Sequence, residues 1–381
     1  MKIGLFSDTY FPIINGISVS VSLLAKELRK KGHTVIIFTH DHDHAQPEKD
    51  VVRFKGFKVP KRSLQEFRIG RVTKAKIKKV MEDHFDIIHC HTELTIGRIG
   101  KKVAKVTSTP LVYTYHTMYE DYVHYISKYF KKYTRKFVIY YSVKFANQSN
   151  VLIAPTNKVA QKFLSYQYQG PIKVIPTGID LNRFKKENLS LERLHELKKQ
   201  YQKPFPHGVF VGRISFEKNL LLLLETLKTC LNDQHAFYLT LIGDGPARRS
   251  LETYVHDHHL LDYVSFTGMI SQEEIPYYYQ MTDFFVSFST TETQGLTYIE
   301  ALAADLPVIA KEDDHLSSWI KEGTSGYLFN DIKDFKKTIQ KIIEDPALIQ
   351  SLKPSQLDVL TPLSSEVYAA SVEALYQELL P

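Results

Sequence analysis

The chain has 381 residues, of which 43% are hydrophobic and 24% charged, and its formal net charge is +7. This balance excludes disordered and collagen-like chains, and the length suggests two domains or one large one. No apolar run approaches the roughly 20 residues that span a bilayer, and the N-terminus is typical of a buried strand rather than of a signal peptide. We therefore expect a cytoplasmic protein without a transmembrane helix.

Charge divides unevenly along the chain. Residues 1–170 contain 29 Lys and Arg against 13 Asp and Glu, a net charge of +16, whereas residues 171–381 contain 20 against 29, a net charge of −9. A basic first half indicates an anionic partner, such as a nucleic acid, an anionic membrane or a phosphorylated substrate. A solvated lysine-rich surface is the alternative.

Strand and helix patterns alternate through the first half. Residues 2–7 predict a buried strand, and apolar residues at helical spacing predict a helix at 16–31. Further strands are predicted at 34–39, 87–90, 111–115, 151–154 and 173–175. Strands that alternate with helices predict a parallel sheet covered on both faces.

The same pattern restarts after a polar segment at about 181–202. Its strands are predicted at 209–211, 238–242, 264–266, 284–288 and 307–310. We therefore predict an α/β protein of two doubly wound, Rossmann-like domains, 1–185 and 195–361, with a C-terminal helix at about 362–381 that returns to the first. Ligands of such sheets bind beyond the carboxyl ends of the strands, so the expected site is a central cleft that both domains face.

Two carboxylates lie eight positions apart after the strand predicted at 284–288. Glu292 precedes a glycine turn, and Glu300 lies inside the helix that follows Gly295. A helix N-terminus exposes free amides and a positive dipole end, which suits a phosphate, while the carboxylates suit hydroxyl groups. The alternative is a pair of exposed glutamates.

A second basic element follows the strand predicted at 209–211. Arg213 and Lys218 lie five positions apart across a strand-to-helix loop. A guanidinium fork and an ammonium group at this spacing predict a clamp for a diphosphate. A solvated basic pair is the alternative.

These elements belong to an ordered series of motifs. The series comprises Asn15-Gly16, His116, Ile175 to Asp180, Gly212-Arg213 with Lys218, Ile242 to Pro246, Phe266-Thr267-Gly268, Glu292-x7-Glu300 with Ala301-Leu302-Ala303, and Pro307-Val308-Ile309. In this order they resemble the signature of retaining glycosyltransferases of family four, which have the GT-B architecture. The resemblance runs through nearly the whole chain.

The resemblance implies a catalytic group of four side chains. Arg213 and Lys218 would neutralise the diphosphate leaving group, Glu292 would hold hydroxyls of the donor sugar, and His116 would contact that sugar near its reacting carbon. Stabilising the departing charge would then be the main catalytic task.

The resemblance also implies a set of donor-binding positions. Gly16 would let its backbone approach the diphosphate or the sugar, and Glu300 would bind the ribose hydroxyls. The amides of Gly295, Leu296 and Thr297 would bind the phosphates, and Met269 and Ile270 would pack against the base. The chain departs from the family at Asp305, near a usual glycine, and at Gln294, where an aromatic residue is frequent.

A rival metal-binding interpretation comes from the tract of residues 40–44, His-Asp-His-Asp-His. Carboxylates and imidazoles are suitable ligands, but no nucleotide signature lies beside the tract, so we predict a polar loop. The two cysteines, Cys90 and Cys230, predict neither a disulfide framework nor a metal cluster. The motifs require no bound cofactor or divalent ion, and a UDP-sugar is expected as substrate.

An aromatic stripe with adjacent cations is predicted on a helix within residues 124–144. The aromatic residues are Tyr125, Tyr129, Tyr133 and Phe137, and the cations are Lys128, Lys131, Lys132, Arg135 and Lys136. Such a helix suits an anionic lipid surface, so these residues are expected to bind the membrane and the acceptor. A core-facing stripe is the alternative.

The segment 116–125 resembles that of bacterial diacylglycerol glucosyltransferases. This resemblance implies retaining transfer of glucose from UDP-glucose to the free hydroxyl of diacylglycerol, at the inner face of the cell membrane, for glycolipid or lipoteichoic acid anchor synthesis. One alternative is the same fold with a soluble or polyprenyl-linked sugar acceptor, and another is a non-catalytic membrane- or glycan-binding protein. No nucleic-acid module is recognisable, and no Gly-x-Gly-x-x-Gly follows the first strand, which disfavours a nicotinamide-dependent dehydrogenase.

Overall fold

The computed structural model describes residues 1–59, 68–118, 131–313, 316–352 and 357–380. These residues form two compact units, one built from 1–179 and 363–381 and the other from 180–362. The C-terminal segment thus belongs to the same unit as the N-terminus. Within the described ranges, no helix is both long enough and apolar enough to cross a membrane.

Strands and helices alternate through both units. The strands are β1 (Lys2–Phe6), β2 (Thr34–His40), β3 (Val51–Phe54), β4 (Phe57–Lys58), β5 (Arg68–Ile69), β6 (Ile87–Cys90), β7 (Leu111–Thr114), β8 (Val151–Ala154), β9 (Ile172–Val174), β10 (His207–Val211), β11 (Tyr238–Ile242), β12 (Val264–Gly268), β13 (Phe284–Ser287), β14 (Val308–Lys311) and β15 (Gly326–Phe329). The helices are α1 (Gly16–Lys30), α2 (Lys74–Met81), α3 (Thr95–Thr107), α4 (Lys131–Ala146), α5 (Asn157–Ser165), α6 (Leu191–Gln200), α7 (Leu220–Asn232), α8 (Arg248–Asp257), α9 (Ile275–Met281), α10 (Leu296–Ala303), α11 (Ile332–Glu344), α12 (Pro346–Ser351), α13 (Leu357–Leu360) and α14 (Ser365–Leu379). Single 3₁₀ turns lie at Leu181–Phe184, Lys186–Asn188, Phe216–Lys218, Leu316–Ser318 and Thr361–Leu363.

The first unit is built on a parallel sheet in the order β3-β2-β1-β6-β7-β8-β9. Alternate residues of its strands enter two separate cores, because side chains of a strand point to opposite faces. One core packs against α3 and α5, and the other packs against α1 and α14. Strands buried on both faces explain the continuous apolar runs in the sequence.

The second unit is built on a parallel sheet in the order β12-β11-β10-β13-β14-β15. From the middle of the sheet, β10, β11 and β12 follow one another in one direction, and β13, β14 and β15 follow one another in the other. The strand order therefore reverses between β10 and β13. Loops that leave the carboxyl ends of strands at such a switch point diverge and leave room for a ligand. The functional site of this unit is therefore expected where β10 and β13 end.

The prediction of doubly wound α/β halves with parallel sheets is confirmed by both strand orders. The predicted strands are present with shifts of a residue or two at their ends, whereas β3, β15 and the short antiparallel pair of β4 and β5 were not predicted. The polar segment expected near 181–202 contains 3₁₀ turns and α6, which belongs to the second unit and buries Leu194 and Leu197. At the departure from the family, Asp305 adopts the left-handed conformation with φ +61°, which aspartate tolerates better than most residues.

Candidate active site

Lys218 and Glu292 meet at the switch point of the second unit. Lys218 lies in the 3₁₀ turn after β10, and Glu292 lies in the loop after β13. The Lys218 Nζ donates to Glu292 Oε1 at 2.6 Å, and the two side chains are 14% and 17% exposed. Because β10 and β13 are parallel neighbours, residues far apart in the sequence come together at their carboxyl ends. The structure thus joins one member of the predicted cation clamp to one of the predicted carboxylates.

Asn219 fixes the same two loops to each other and was not identified from the sequence. Its backbone is left-handed, with φ +52°, and its side-chain amide donates to the carbonyl oxygen of Phe288 at 3.0 Å. The sequence did offer a signal, because asparagine tolerates the left-handed conformation and this one directly precedes an apolar helix.

Arg213, the other predicted cation, is half-buried in the loop after β10. The preceding residue, Gly212, packs so closely against the β11 loop that a Cβ on Gly243 would lie 2.0 Å from the Gly212 carbonyl oxygen. The Gly243 amide in turn donates to the carbonyl oxygen of Gly268 at 2.9 Å. Glycine backbones therefore hold the loops after β10, β11 and β12 together, which explains the glycines of the sequence motifs.

The two residues predicted to pack against a base follow that third loop. Met269 is 57% exposed, and Ile270 is half-buried. Both lie just beyond the carboxyl end of β12, at the same edge of the sheet as Arg213.

Helix α10 presents its positive end at this edge as well. Gly295, with φ +79°, caps the helix, and the first amides of a helix have no acceptor within it. The hydroxyl oxygens of Ser289 and Thr291, in the same loop, are buried and lack a hydrogen-bond partner among the described residues. Buried hydroxyls of this kind are ready to bind a polar ligand, and no role for them was predicted from the sequence.

Glu300 points its carboxylate toward Tyr279 and Arg183. The Tyr279 hydroxyl donates to Glu300 Oε2 at 3.0 Å. Burial raises the pKa of the Glu300 carboxyl to about 7, although the positive charge of Arg183 and the Tyr279 hydrogen bond both favour the ionised form. Tyr279 lies on α9, and its role was not predicted because nothing in its local sequence marks it.

The two predicted site residues of the first unit are Gly16, at the start of α1, and His116, in the loop after β7. Gly16 is the exposed first residue of α1, which Asn15 caps by accepting from the Ser18 amide at 2.9 Å. His116 follows β7, and its Nε2 lies 2.9 Å from Nδ1 of His91, which follows β6. Burial lowers the pKa of His116 to about 3, so its imidazole is neutral at physiological pH.

The aromatic and basic helix is described from residue 131 onward, as α4. Tyr133 and Phe137 are 74% and 66% exposed, and Tyr140, which was not among the predicted residues, is 60% exposed. Lys132, Arg135 and Lys136 are also exposed. Tyr125, Lys128 and Tyr129 lie outside the described residues, as does the side chain of Lys131.

The histidine and aspartate tract forms a polar loop after β2. The Asp43 carboxylate accepts from Lys58 Nζ at 2.7 Å and lies 3.1 Å from Arg68 Nη2. Across the described part of the chain, no group of three or more His, Cys, Asp or Glu side chains is placed to hold a metal ion.

Two sequence profiles match the chain in tandem. Glycosyltransferase Family 4 matches residues 14–183, and Glycosyl transferases group 1 matches residues 195–356. The alpha-monoglucosyldiacylglycerol synthase of Acholeplasma laidlawii is 33% identical, over 100% of this chain and 98% of that protein. The protein of the same name from Streptococcus pneumoniae is 34% identical, over 99% of this chain and 85% of its own length.

Solved structures resemble both units of the chain. The Anabaena protein HepE, in complex with UDP and glucose, matches with a TM-score of 0.78 over 100% of both chains at 19% identity. Sucrose-phosphate synthase from Thermosynechococcus elongatus matches with a TM-score of 0.77 over 99% of this chain and 98% of its own, at 23% identity. At these identities the likeness establishes the GT-B fold alone.

Proposed function

The chain belongs to glycosyltransferase family 4, and from this membership we propose that it transfers a glucosyl group from UDP-glucose to the free hydroxyl of diacylglycerol, with retention of the anomeric configuration. The observation that carries the proposal is the 33% identity to the alpha-monoglucosyldiacylglycerol synthase of A. laidlawii over almost the full length of both proteins. The polar side chains at the carboxyl ends of β10 and β13 support the choice of donor, and the exposed aromatic and basic side chains of α4 support the choice of a lipid acceptor.

On the donor side, the leaving diphosphate needs positive charge. The ammonium group of Lys218 has three N–H donors, so it can bind a phosphate oxygen while it keeps its bond to Glu292. The pair thus holds the cation in place before the substrate arrives, which lowers the reorganisation needed in the transition state. Arg213 and the amides of Gly295, Leu296 and Thr297 add donors for the same phosphates, and Met269 and Ile270 pack against the base.

The transfer itself exchanges two bonds at the anomeric carbon. The bond from that carbon to the β-phosphate oxygen breaks, and a bond to the acceptor hydroxyl oxygen forms on the same face of the sugar. The hydroxyl proton passes to the departing phosphate oxygen. Glu292 accepts hydrogen bonds from sugar hydroxyls and Glu300 accepts from the ribose, while the roles of His116 and Gly16 as sugar contacts follow from the family resemblance.

On the acceptor side, α4 suits a bilayer surface. Tyr133, Phe137 and Tyr140 are large and exposed, and aromatic rings of this kind partition into the interfacial region of a membrane. The adjacent lysines and arginine attract anionic lipid at about 1 kcal/mol each near the surface. The protein then acts as a peripheral enzyme on the inner face of the cell membrane.

The test measures radiolabel from UDP-glucose that enters the organic phase, with vesicles that contain or lack diacylglycerol and anionic lipid. We expect label that requires diacylglycerol and increases with anionic lipid. Label that forms equally well without diacylglycerol, or only on a water-soluble sugar, would refute the acceptor.

A variant pair tests the membrane surface separately. Replacing Tyr133, Phe137 and Tyr140 together by serine is expected to weaken vesicle binding, because the rings that enter the interfacial region are lost, while UDP-glucose binding is unchanged. Val106, an apolar side chain on α3 that is 63% exposed in the same unit, gives the matched control Val106→Ser. Equal vesicle binding by the two variants would exclude α4 as the docking surface.

A further inference from the structure

We propose that His91 is a positioning residue that fixes His116 in one tautomer, with the His116 proton on Nδ1, so that His116 presents a hydrogen-bond donor to the donor sugar. The contact between His116 and the sugar rests on the proposed function, but the assignment of the His116 tautomer does not. Neither residue type nor spacing in the sequence indicated a role for His91.

The two imidazoles are joined by one hydrogen bond. His91 Nδ1 and His116 Nε2 are 2.9 Å apart, and the ring planes are inclined by 20° with their centroids 5.2 Å apart. The strands that carry them, β6 and β7, are parallel neighbours with Cys90 opposite Tyr113, which places both histidines at the carboxyl edge of the sheet.

His91 is held rigidly from the opposite side. Its side chain is buried, its backbone amide donates to the Phe6 carbonyl oxygen at 2.8 Å, and its ring lies against His89 with centroids 4.1 Å apart. His89 is fixed in turn, because one ring nitrogen lies 2.6 Å from the Tyr376 hydroxyl and the other 2.7 Å from the Thr114 hydroxyl. His91 therefore has little freedom to move away from His116.

The second ring nitrogen of His91 decides the direction of the bond. Nε2 is buried and has no hydrogen-bond partner among the described residues. A neutral imidazole carries one N–H and one bare nitrogen. Among backbone groups, a buried N–H without an acceptor is rarer in native proteins than a buried acceptor without a donor, and we apply the same preference to the buried imidazole. The His91 proton is therefore on Nδ1, from which it is donated to Nε2 of His116.

This assignment determines the state of His116. Because Nε2 of His116 accepts, its own proton is on Nδ1, and no described residue forms a hydrogen bond with that nitrogen. Burial lowers the pKa of both imidazoles well below the usual range, so each carries a single proton at neutral pH. His116 thus offers an N–H to a substrate oxygen, and its unprotonated nitrogen, Nε2, already accepts from His91 and does not act as a general base.

The first test reads the tautomer directly and needs no catalysis. The full-length protein is labelled with ¹⁵N-histidine, and the signal of His116 among the 16 histidines is assigned from its loss in His116→Gln. We expect a protonated Nδ1 and a bare Nε2 for His116 at pH 7. A protonated Nε2 on His116 would overturn the proposal, whether or not the enzyme uses diacylglycerol.

The second test compares two substitutions of His91. His91→Asn keeps an N–H donor at the position of Nδ1, whereas His91→Phe keeps the ring packing and removes the donor. Loss of one hydrogen bond predicts a fall of about five- to tenfold in kcat/KM for His91→Phe, and His91→Asn should stay within about twofold of wild type. A purely structural role predicts the reverse order, because phenylalanine preserves the buried ring, and that order would refute the proposal.

One further measurement distinguishes an error in the proposed acceptor from an error in the role of His91. Cleavage of UDP-glucose with water as the acceptor is followed for the same variants, and the same order of rates is expected. If that order holds while wild type transfers no glucose to diacylglycerol, the proposed acceptor is wrong and the role of His91 stands.

Discussion

With Glu300 in its proposed role at the ribose, we expect the affinity for UDP-glucose to fall about tenfold between pH 8 and pH 6, because an ionised carboxylate accepts much stronger hydrogen bonds from hydroxyls than a protonated carboxyl does. The pKa of this carboxyl is about 7 in the donor-free protein, raised mainly by burial. The described groups that face it are the Tyr279 hydroxyl and the positive charge of Arg183, and neither changes its charge in this pH range. UDP-glucose itself has no group that titrates between pH 6 and pH 8.

The magnitude follows from the ionised fraction. With a pKa of about 7, roughly nine-tenths of the Glu300 carboxyl is ionised at pH 8 and roughly one-tenth at pH 6. If only the ionised form binds, the apparent dissociation constant changes by the ratio of these fractions, about tenfold. In Glu300→Gln the dependence should vanish, and affinity at pH 8 should be about fivefold lower because a neutral acceptor replaces a charged one.

The assay is titration calorimetry with UDP-glucose at pH 6, 7 and 8, in the absence of lipid acceptor. Glu252→Gln is the matched control, since this carboxylate lies in the same unit and accepts from Arg248 Nε at 2.7 Å. It should leave the pH profile unchanged. A flat profile for the wild-type protein, or a tenfold dependence that persists in Glu300→Gln, would refute the reasoning.

Three further predictions concern single side chains. Lys218→Ala should lower turnover by more than about tenfold at saturating donor, because the charge that develops on the leaving phosphate loses one of its proposed cations; a near wild-type kcat would exclude this role. Burial raises the pKa of Glu93 from 4.5 to about 7, so the folded state favours the protonated carboxyl, and the unfolding free energy of wild type relative to Glu93→Gln should fall by about 2.5 kcal/mol between pH 5 and pH 8; parallel denaturation curves at both pH values would contradict this. Gly295→Ala should destabilise the protein by about 1–2 kcal/mol, since φ is +79° and a Cβ would lie 2.9 Å from the Tyr298 ring; an unchanged melting temperature would show that the turn can relax.

The sequence alone determined the architecture of each unit. Continuous apolar runs between helical patterns predicted the central strands, because a strand buried on both faces needs apolar residues at every position. The glycine-bounded motifs predicted which loops approach a ligand. Of the strands that were not predicted, β3 and β15 lie at the edges of the two parallel sheets, where pairing on one side only leaves a weaker sequence signal, and β4 and β5 are only two residues long.

Only the tertiary structure decided which side chains act together. Lys218 meets Glu292 and His91 meets His116 because the strands that precede them are neighbours in their sheets. Tyr279 on α9 meets Glu300 on α10 through a contact between two helices. Burial among those neighbours, rather than residue type, then sets the protonation of Glu300 and His116. A local sequence pattern specifies the type and the ends of a single helix or strand. Contacts between elements depend instead on the order of the strands across the sheet, and that order is a property of the whole chain.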